Sequence, residues 1–378
     1  MGRFFFGGDM AFSYNDQKPE FSSYIIHSNK FPQQTSLLGM LRFLILRNDE
    51  QVFDSEKQEI RDNQKDQATL LIGPKSFMVN GTRGDFGKIK SLGPCFFQAK
   101  KDEQWTDLEI TPKDELKEYK EKDDEWGKPL NVDFSGCSQE KTHAVINGKK
   151  VDVPNMNYNA KGNYPTCYQH GNVVIKENDI FKEEITNGID RDIETGKVDD
   201  NALFKKISYR LKDDFLKDGS LKDVFRFAFY AEVELDGFEK YSGQLVSVGG
   251  DSSQFVIGIE KCPEEEKEEQ LGCGKRVILT SPSYLTKEDF KKEGGEQLVR
   301  FAITDTMPFK CMQTTTKEVK TYNKSNTKYK YDYSTQYFLF VPGSVFYFKT
   351  EEDAEAFADR IKSHADFHQI GYNHCLIK

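Results

Sequence analysis

Residues 4–17 read FFFGGDMAFSYNDQ, and residues 22–47 read SSYIIHSNKFPQQTSLLGMLRFLILR. The three phenylalanines predict a short strand, Arg3 to Phe6, because aromatic side chains suit a half-buried pleated surface. Gly7-Gly8 then permits a turn that residues with a Cβ resist. Ser22 to His27 alternates enough for a second strand. Pro32 sets the approach to a helix, with Thr35 or Ser36 as its cap. Leu37, Leu38, Leu41, Leu44 and Ile45 recur at helical spacing and predict its buried face. Gly39, Arg42 and Leu46 fall on another side. A glycine inside a helix costs about 1 kcal/mol against alanine, so Gly39 reads as a place where a backbone or a ligand comes close.

Outside this unit, bulk properties narrow the choices. A chain of 378 residues is too long for one ordinary core and predicts two domains. Its net charge of −9 argues against a protein that coats nucleic acid by bulk electrostatics, while leaving room for a local basic groove. Charge is uneven: Ala99 to Gly127 and Glu264 to Glu269 are acidic, whereas Gln313 to Tyr333 carries five lysines against two acids. No stretch approaches the roughly 18 apolar residues of a membrane span, and Phe4 to Phe6 is too short for a signal peptide. The seven cysteines lack CxxC spacing and predict reduced thiols in a cytoplasmic protein with no membrane partner.

Along the chain, Thr69 to Ile72 and Leu92 to Ala99 read as strands, and Lys75 to Lys90 is glycine-punctuated and basic. The acidic segment after Ala99 reads as a solvated insertion with a helical piece near Asp114 to Lys122. Asn147 to Gly171 reads as loop or linker. Glu194-Thr195-Gly196-Lys197 has the chemistry of a hairpin tip, with a strand at Lys205 to Leu211. Val224 to Leu235 is a strand whose inner face is Phe225, Phe227, Phe229, Ala231, Val233 and Leu235. Gly243 to Ile259 reads as strand, Gly249-Gly250-Asp251 turn, strand. Further strands are Arg276 to Ser281 and Val299 to Asp305. Pro342-Gly343 reads as a hairpin between Thr335–Val341 and Ser344–Lys349. Thr350 caps a helix with acids in its first turn and Ala354, Phe357, Ala358 and Ile361 on its apolar face. A strand at Cys375 to Ile377 closes the chain. Hairpin, helix, strand is the second half of a βαββαβ unit, and the opening strand and helix suit the first half of another.

For chemistry, the chain has no HExxH, GxSxG, Walker loop or CxxC pair. The His364/His368 spacing is a weak metal signal. His27 suits a general base as well as a packing histidine. Gly7-Gly8-Asp9 and Gly249-Gly250-Asp251 repeat one element, either an anion nest or an ordinary turn. Lysines interleaved with tyrosines in 317–333 suit single-stranded nucleic acid, or an exposed loop with solvated charge. The residues alone thus describe a two-domain, non-catalytic α+β protein with candidate phosphate loops.

Phe31-Pro-Gln-Gln-Thr-Ser-Leu-Leu-Gly-Met-Leu-Arg42 resembles the start of the first helix in the RAMP superfamily of CRISPR proteins, above all the third-subunit group of the Cmr (type III-B) effector. Gly188-Ile-Asp-Arg191 with Thr195-Gly196-Lys197 and Leu203-Phe204 resembles that group's thumb hairpin. Phe225 to Glu234 resembles the strand after it, and Val248-Gly-Gly-Asp251 the glycine-rich turn of the second half. The glycine-rich loop before the last strand is reduced here to Gly371-Tyr372-Asn373.

The resemblance implies tandem ferredoxin-like (RRM-like) domains with a β-hairpin thumb and loop insertions. Residues 1–160 would form the first domain, carrying the insertion near 99–127, residues 161–222 the thumb and linker, and residues 223–378 the second domain. It implies a non-catalytic subunit, without metal or cofactor, that caps the 5′ handle of CRISPR RNA. Its partners would be the large polymerase/cyclase subunit and the backbone RAMP subunit, with target RNA engaged indirectly. The RNA contacts carried over are Gln33, Gln34, Ser36, Gly39 and Arg42 from the opening motif, Ile189 and Arg191 from the thumb, and Gly249, Gly250 and Asp251 from the second turn. The alternative is a RAMP endoribonuclease that processes precursor CRISPR RNA, with His27 as base.

Overall fold

The structure is a computed structural model that describes residues 2–7, 9–10, 13–14, 24–101, 104–114, 132–133, 143–146, 149–152, 166–170, 173–191, 198–212, 225–249, 253–262, 272–321 and 324–378. It is a mixed α/β protein with more strand than helix. The helices are α1 (Gln34–Arg47), α2 (Lys65–Ile72), α3 (Glu177–Ile180), α4 (Glu351–Ser363) and α5 (Ala365–Gln369).

The opening strand, Gly2–Gly7, lies inside the largest sheet. Phe4 is opposite Phe229 on one side and Ile259 on the other, and Phe6 is opposite Phe227 and Ile257. The sheet order is Leu245–Val248, Ser253–Lys261, Gly2–Gly7, Phe225–Val233, Phe96–Lys101, Gln104–Asp107, with Ile89–Leu92 also on Phe225–Val233. Every neighbouring pair is antiparallel. Gly2–Gly7 and Phe96–Lys101, which α1 helps connect, are therefore parallel with Phe225–Val233 between them. The expected divisions at 160 and 222 both fall between strands of this one sheet.

Its core is the face that the alternation predicts. Phe225, Phe227, Phe229 and Ala231 are buried, and so are Phe97, Phe255 and Ile257. Leu37, Leu38, Leu41, Leu44 and Ile45 of α1 join them, each 2% exposed or less. Burying one such side chain is worth about 1.5–3 kcal/mol, so packing, not helix propensity, fixes α1.

A second sheet has the order Phe301–Ile303, Val345–Tyr347, Arg276–Leu279, Cys375–Ile377, again antiparallel throughout. Here α4 follows Val345–Tyr347 and precedes Cys375–Ile377, with Arg276–Leu279 between those two strands. The predicted apolar face of α4 is fully buried, and the Thr350 side chain accepts from the Asp353 amide at 3.2 Å, as its cap. Asp114, wholly buried after the strand Glu109–Ile110, ties that segment to the second sheet: it pairs with Arg276 at 2.6 Å and accepts from the Tyr347 hydroxyl. Phe77 bridges Phe309 and Phe367. A third sheet holds the long hairpin Phe181–Arg191 with Val198–Leu211, extended by Tyr24–Ser28 running parallel to the latter. The expected hairpin tip, Glu194 to Lys197, lies outside the described residues.

Several expectations are overturned. Residues 69–72 end α2: Ala68 and Leu71 are buried while Leu70 is 65% exposed, a helical pattern that a four-residue apolar run conceals. The helix α1 starts at Gln34, with Gln33 as its N-cap and no side-chain cap bond, so neither Thr35 nor Ser36 caps it. Leu92–Ala99 is broken at Gly93-Pro94-Cys95 into two strands. The start of the acidic insertion forms strands and then the buried Asp114, so it is not merely solvated; residues 115–131 lie outside the described residues. Pro342-Gly343 is a corner and not a hairpin: Tyr337–Phe340 pairs with Thr306–Phe309, whereas Val345–Tyr347 enters the second sheet. Within Asn147–Gly171, Lys149–Asp152 and Cys167–His170 are strands.

Candidate functional site

The opening motif holds α1 against the first sheet and the loop at residues 371–373. Phe31 packs on Phe97 and Phe227, with ring centroids 4.4 and 5.3 Å away, which fixes where the chain enters the helix. Gln34 is 3% exposed. Its amide donates to the Tyr372 hydroxyl at 3.2 Å, and its side-chain Nε2 reaches the carbonyls of Gly93 (3.3 Å) and Gly371 (3.4 Å). The Ser36 and Leu37 amides both turn back to the Gln33 carbonyl. The first-turn donors of Gln34 and Ser36 are therefore spent internally, which weakens the case for a phosphate at this helix start. Burial pushes the Tyr372 hydroxyl up, although the Gln34 amide that it accepts pulls the other way. It stays neutral and able to accept.

Gly371 is required at this junction. Its φ is +90°, and a Cβ there would meet the Gly93 carbonyl oxygen at 2.3 Å and Gln34 Nε2 at 2.7 Å. The reduced loop Gly371-Tyr372-Asn373 is thus an internal clasp.

Arg42 is half-buried and donates from Nη2 to the Gly73 carbonyl at 3.2 Å. Gly73 is the C-cap of α2, so the guanidinium lies at the negative end of that helix. By contrast Gly39 is exposed, and nothing lies within 4 Å of where its Cβ would be. One turn on, Phe43 is 37% exposed with its ring edge-on to Phe53 and Arg47 5.9 Å from its centroid. Ser36, Gly39, Phe43 and Arg47 follow helical spacing along one outward stripe. A glycine gap beside a partly exposed ring allows a backbone to approach and a flat group to stack. The sequence alone hides Phe43, because it sits inside the apolar run LLGMLRFLIL.

The basic, glycine-punctuated segment 75–90 already has an anion. Asp366, 3% exposed, accepts from the amides of Asn80 (2.8 Å) and Gly81 (2.7 Å). Gln369 bonds the Gly84 amide and the carbonyls of Gly84 and Lys90. That nest of N–H groups is filled by the protein's own carboxylate.

The remaining predicted contacts are dispersed. Gly249, with φ +81°, follows Leu245–Val248, whereas α1 meets the other end of that strand, where Arg47 and Asn48 bond Gln244. Gly250 and Asp251 lie outside the described residues. Ile189 and Arg191 lie in the long hairpin, where the register shifts between them, opposite Leu203 and Val198. His27 occupies an inner strand, opposite Ile207 and Tyr14. His364 bonds Asp289 at 2.9 Å and His368 bonds the Asn373 carbonyl at 3.1 Å, so the two do not converge. Among the described residues no group of three or more His, Cys, Asp or Glu could hold a metal ion.

The comparisons with known proteins add one decisive finding. Residues 3–378 match the family model for the CRISPR-associated protein Cas_Cmr3. The chain belongs to the Cas_Cmr3 family. No curated protein gives a significant match. Among solved structures, a chain of the Type III-B Cmr-beta bound to cognate target RNA is 12% identical, with a TM-score of 0.44 over 100% of this chain and 96% of its own. A chain of that assembly bound to cognate target RNA and AMPPnP, state 1, gives the same identity and TM-score over 99% of this chain and 96% of its own. In this Cas_Cmr3 chain the opening motif divides in two. Gln34 and Arg42 hold internal carbonyls, while Gly39 faces outward, as does Phe43 just beyond the motif.

Proposed function

We propose that the chain is a non-catalytic, RNA-binding subunit of a type III-B CRISPR effector. In this reading it binds and caps the 5′ handle of CRISPR RNA and bridges the large polymerase/cyclase subunit to the backbone filament in the cytoplasm. The observation that carries it is the family match across residues 3–378. The reading treats the two larger sheets as ferredoxin-like halves and the long hairpin as the thumb. Each half contains a split βαβ arrangement, two parallel strands joined through a helix with a third strand between them: α1 serves the first and α4 the second. On α1, Gly39 of the opening motif and Phe43 just after it offer the contact, with Ser36 one turn before Gly39 and Gln33 at the N-cap. Gln34 and Arg42 hold its shape.

The test uses the purified chain, alone and with its partner subunits, and RNA bearing the repeat-derived 5′ segment. Handle-dependent binding is expected, with intact precursor RNA for both the wild type and His27→Ala. Precursor cleavage that is lost in His27→Ala would replace this reading with the endoribonuclease. Indifference to the handle when partners are present would remove the capping role.

A further inference from the structure

The first sheet ends in two unlike edges. At one end, Gln104–Asp107 is blunted: Asp107 is exposed, Arg226 lies 3.9 Å over the Trp105 ring, and the charged residues Lys101, Asp102 and Glu103 precede it. Charge on an edge strand guards against pairing with another chain. At the other end, Leu245–Val248 carries no charge and no proline, and among the described residues it pairs only with Ser253–Lys261. Val246 and Val248 turn into the core, whereas Leu245 is 54% exposed. Its opposed partner, Val256, is also 54% exposed. The two make an apolar step on the outer face, beside the open edge.

The register fixes what the edge offers. The Ile257 amide donates to the Gln244 carbonyl at 3.0 Å, so positions 244/257, 246/255 and 248/253 exchange the ladder's hydrogen bonds. The N–H and C=O groups of Leu245 and Ser247 therefore point away from the sheet, as an incoming strand needs. At the start of the edge stands Arg47, whose Nη2 donates to Gln244 Oε1 at 2.8 Å. That bond leaves other guanidinium donors for a carboxylate. Four residues at about 3.4 Å each make an edge about 14 Å long. Two copies paired through an edge this short fall short of the roughly 800 Å² per partner that a stable dimer buries. A single extended segment needs no more than this. We infer that Leu245–Val248 accepts one strand from another protein. The segment carries β-branched residues at alternate positions, over Leu245 and Val256, and a carboxylate directed to Arg47. This docking is independent of the RNA reading, which uses neither Leu245 nor Ser247.

The probe is a fluorescent peptide, Glu-Val-Thr-Val-Thr-Val, titrated onto the purified full chain and followed by anisotropy and by residue-level hydrogen exchange. Saturable binding is expected, with exchange slowed at the Leu245 and Ser247 amides. Ser247→Pro deletes an outward N–H where an edge strand tolerates proline, and Leu245→Lys puts a charge on the apolar step. Each should weaken binding about tenfold. Leu245→Lys, on the exposed face, covers the case in which the proline disturbs the fold. Replacing the peptide's glutamate by glutamine should weaken binding to the wild type but not to Arg47→Ala. Equal binding of a peptide N-methylated at every residue overturns the inference, as does binding without protection at Leu245 and Ser247, or no binding at all. Self-association of the chain that Leu245→Lys abolishes, with no peptide bound, also overturns it and gives the edge to a second copy. Handle RNA binding should be unchanged in Ser247→Pro, so failure of the docking and failure of the RNA reading show separately.

Discussion

Gly39→Ala separates a glycine kept for a ligand from one that is merely tolerated. The position is exposed on α1, and an added Cβ would meet nothing within 4 Å. Alanine should therefore recover the helix-propensity deficit of about 1 kcal/mol. Unfolding entropy of roughly 2.1 cal/mol/K per residue gives about 0.8 kcal/mol/K for 378 residues. If the chain melts as one unit, Tm should rise by about 1 °C, and by more if the first sheet melts alone. Scanning calorimetry of the isolated chain measures this. Handle RNA affinity, measured with partners present, should move the other way, by about tenfold or the equivalent 1.4 kcal/mol, because the methyl occupies the gap beside Phe43. A destabilised variant would contradict the open space around Gly39. A stabilised variant with unchanged RNA affinity would refute its ligand role and leave Phe43 to carry the contact on α1.

Four further outcomes are expected. Gly371→Ala should cost 3 kcal/mol or more (order of magnitude for strain plus overpacking), read as a lower urea midpoint, because its Cβ has no room beneath the Gly93 carbonyl. Asp366→Ala should cost about 1.5–3 kcal/mol by leaving the Asn80 and Gly81 amides without their carboxylate, and hydrogen exchange should quicken in residues 75–90. Phe43→Ala should weaken RNA binding by about 1–3 kcal/mol in a titration, with a smaller loss of stability because the ring is over a third exposed. At Asp289, burial raises the carboxyl, but the bonds from His364 and Thr286 outweigh it and hold it below the ordinary value. A depressed folded value gives stability that is present above the unfolded value and lost as pH falls through the folded one. Urea midpoints of Asp289→Asn should therefore vary less with pH than the wild type below about pH 4; an equal slope would show that the pair is not linked to acid unfolding.

The parts of the fold legible in the sequence are those with a strong period. Phe225 to Ala231 alternates so regularly that its buried face could be read directly, and α4 announces itself by Thr350, three acids and an apolar stripe. What was not legible depends on contacts far apart in the chain. Pro342-Gly343 has hairpin chemistry, but the pairing of its flanks is decided by residues 306–309 and 276–279, which no local pattern encodes. Residues 69–72 are too few to tell a helix from a strand until Ala68 and Leu71 are seen to share a side. At the site, Gly39 was readable as an anomaly because it violates helix propensity. Gln34 was not, since a glutamine gives no local sign that its partners lie at residues 93 and 371.

That last contrast sharpens how the opening motif should be understood. The resemblance of the opening motif to that of an RNA-binding group invites the inference that each of its residues touches RNA. Here Gln34 has its amide on Tyr372 and its side chain on two carbonyls, and Arg42 gives a donor to the end of α2. A substitution at Gln34 would shift α1 relative to the loop at residues 371–373, and one at Arg42 would shift it relative to the end of α2. Loss of RNA binding in Gln34→Ala would therefore not show contact, because the same change loosens the frame that presents Gly39 and Phe43. The discriminating comparison is of salt slopes against stability. A residue that touches phosphate changes the slope without changing Tm, whereas a residue that holds the frame lowers Tm and affinity together and leaves the slope alone. Gln34 and Arg42 should behave as frame.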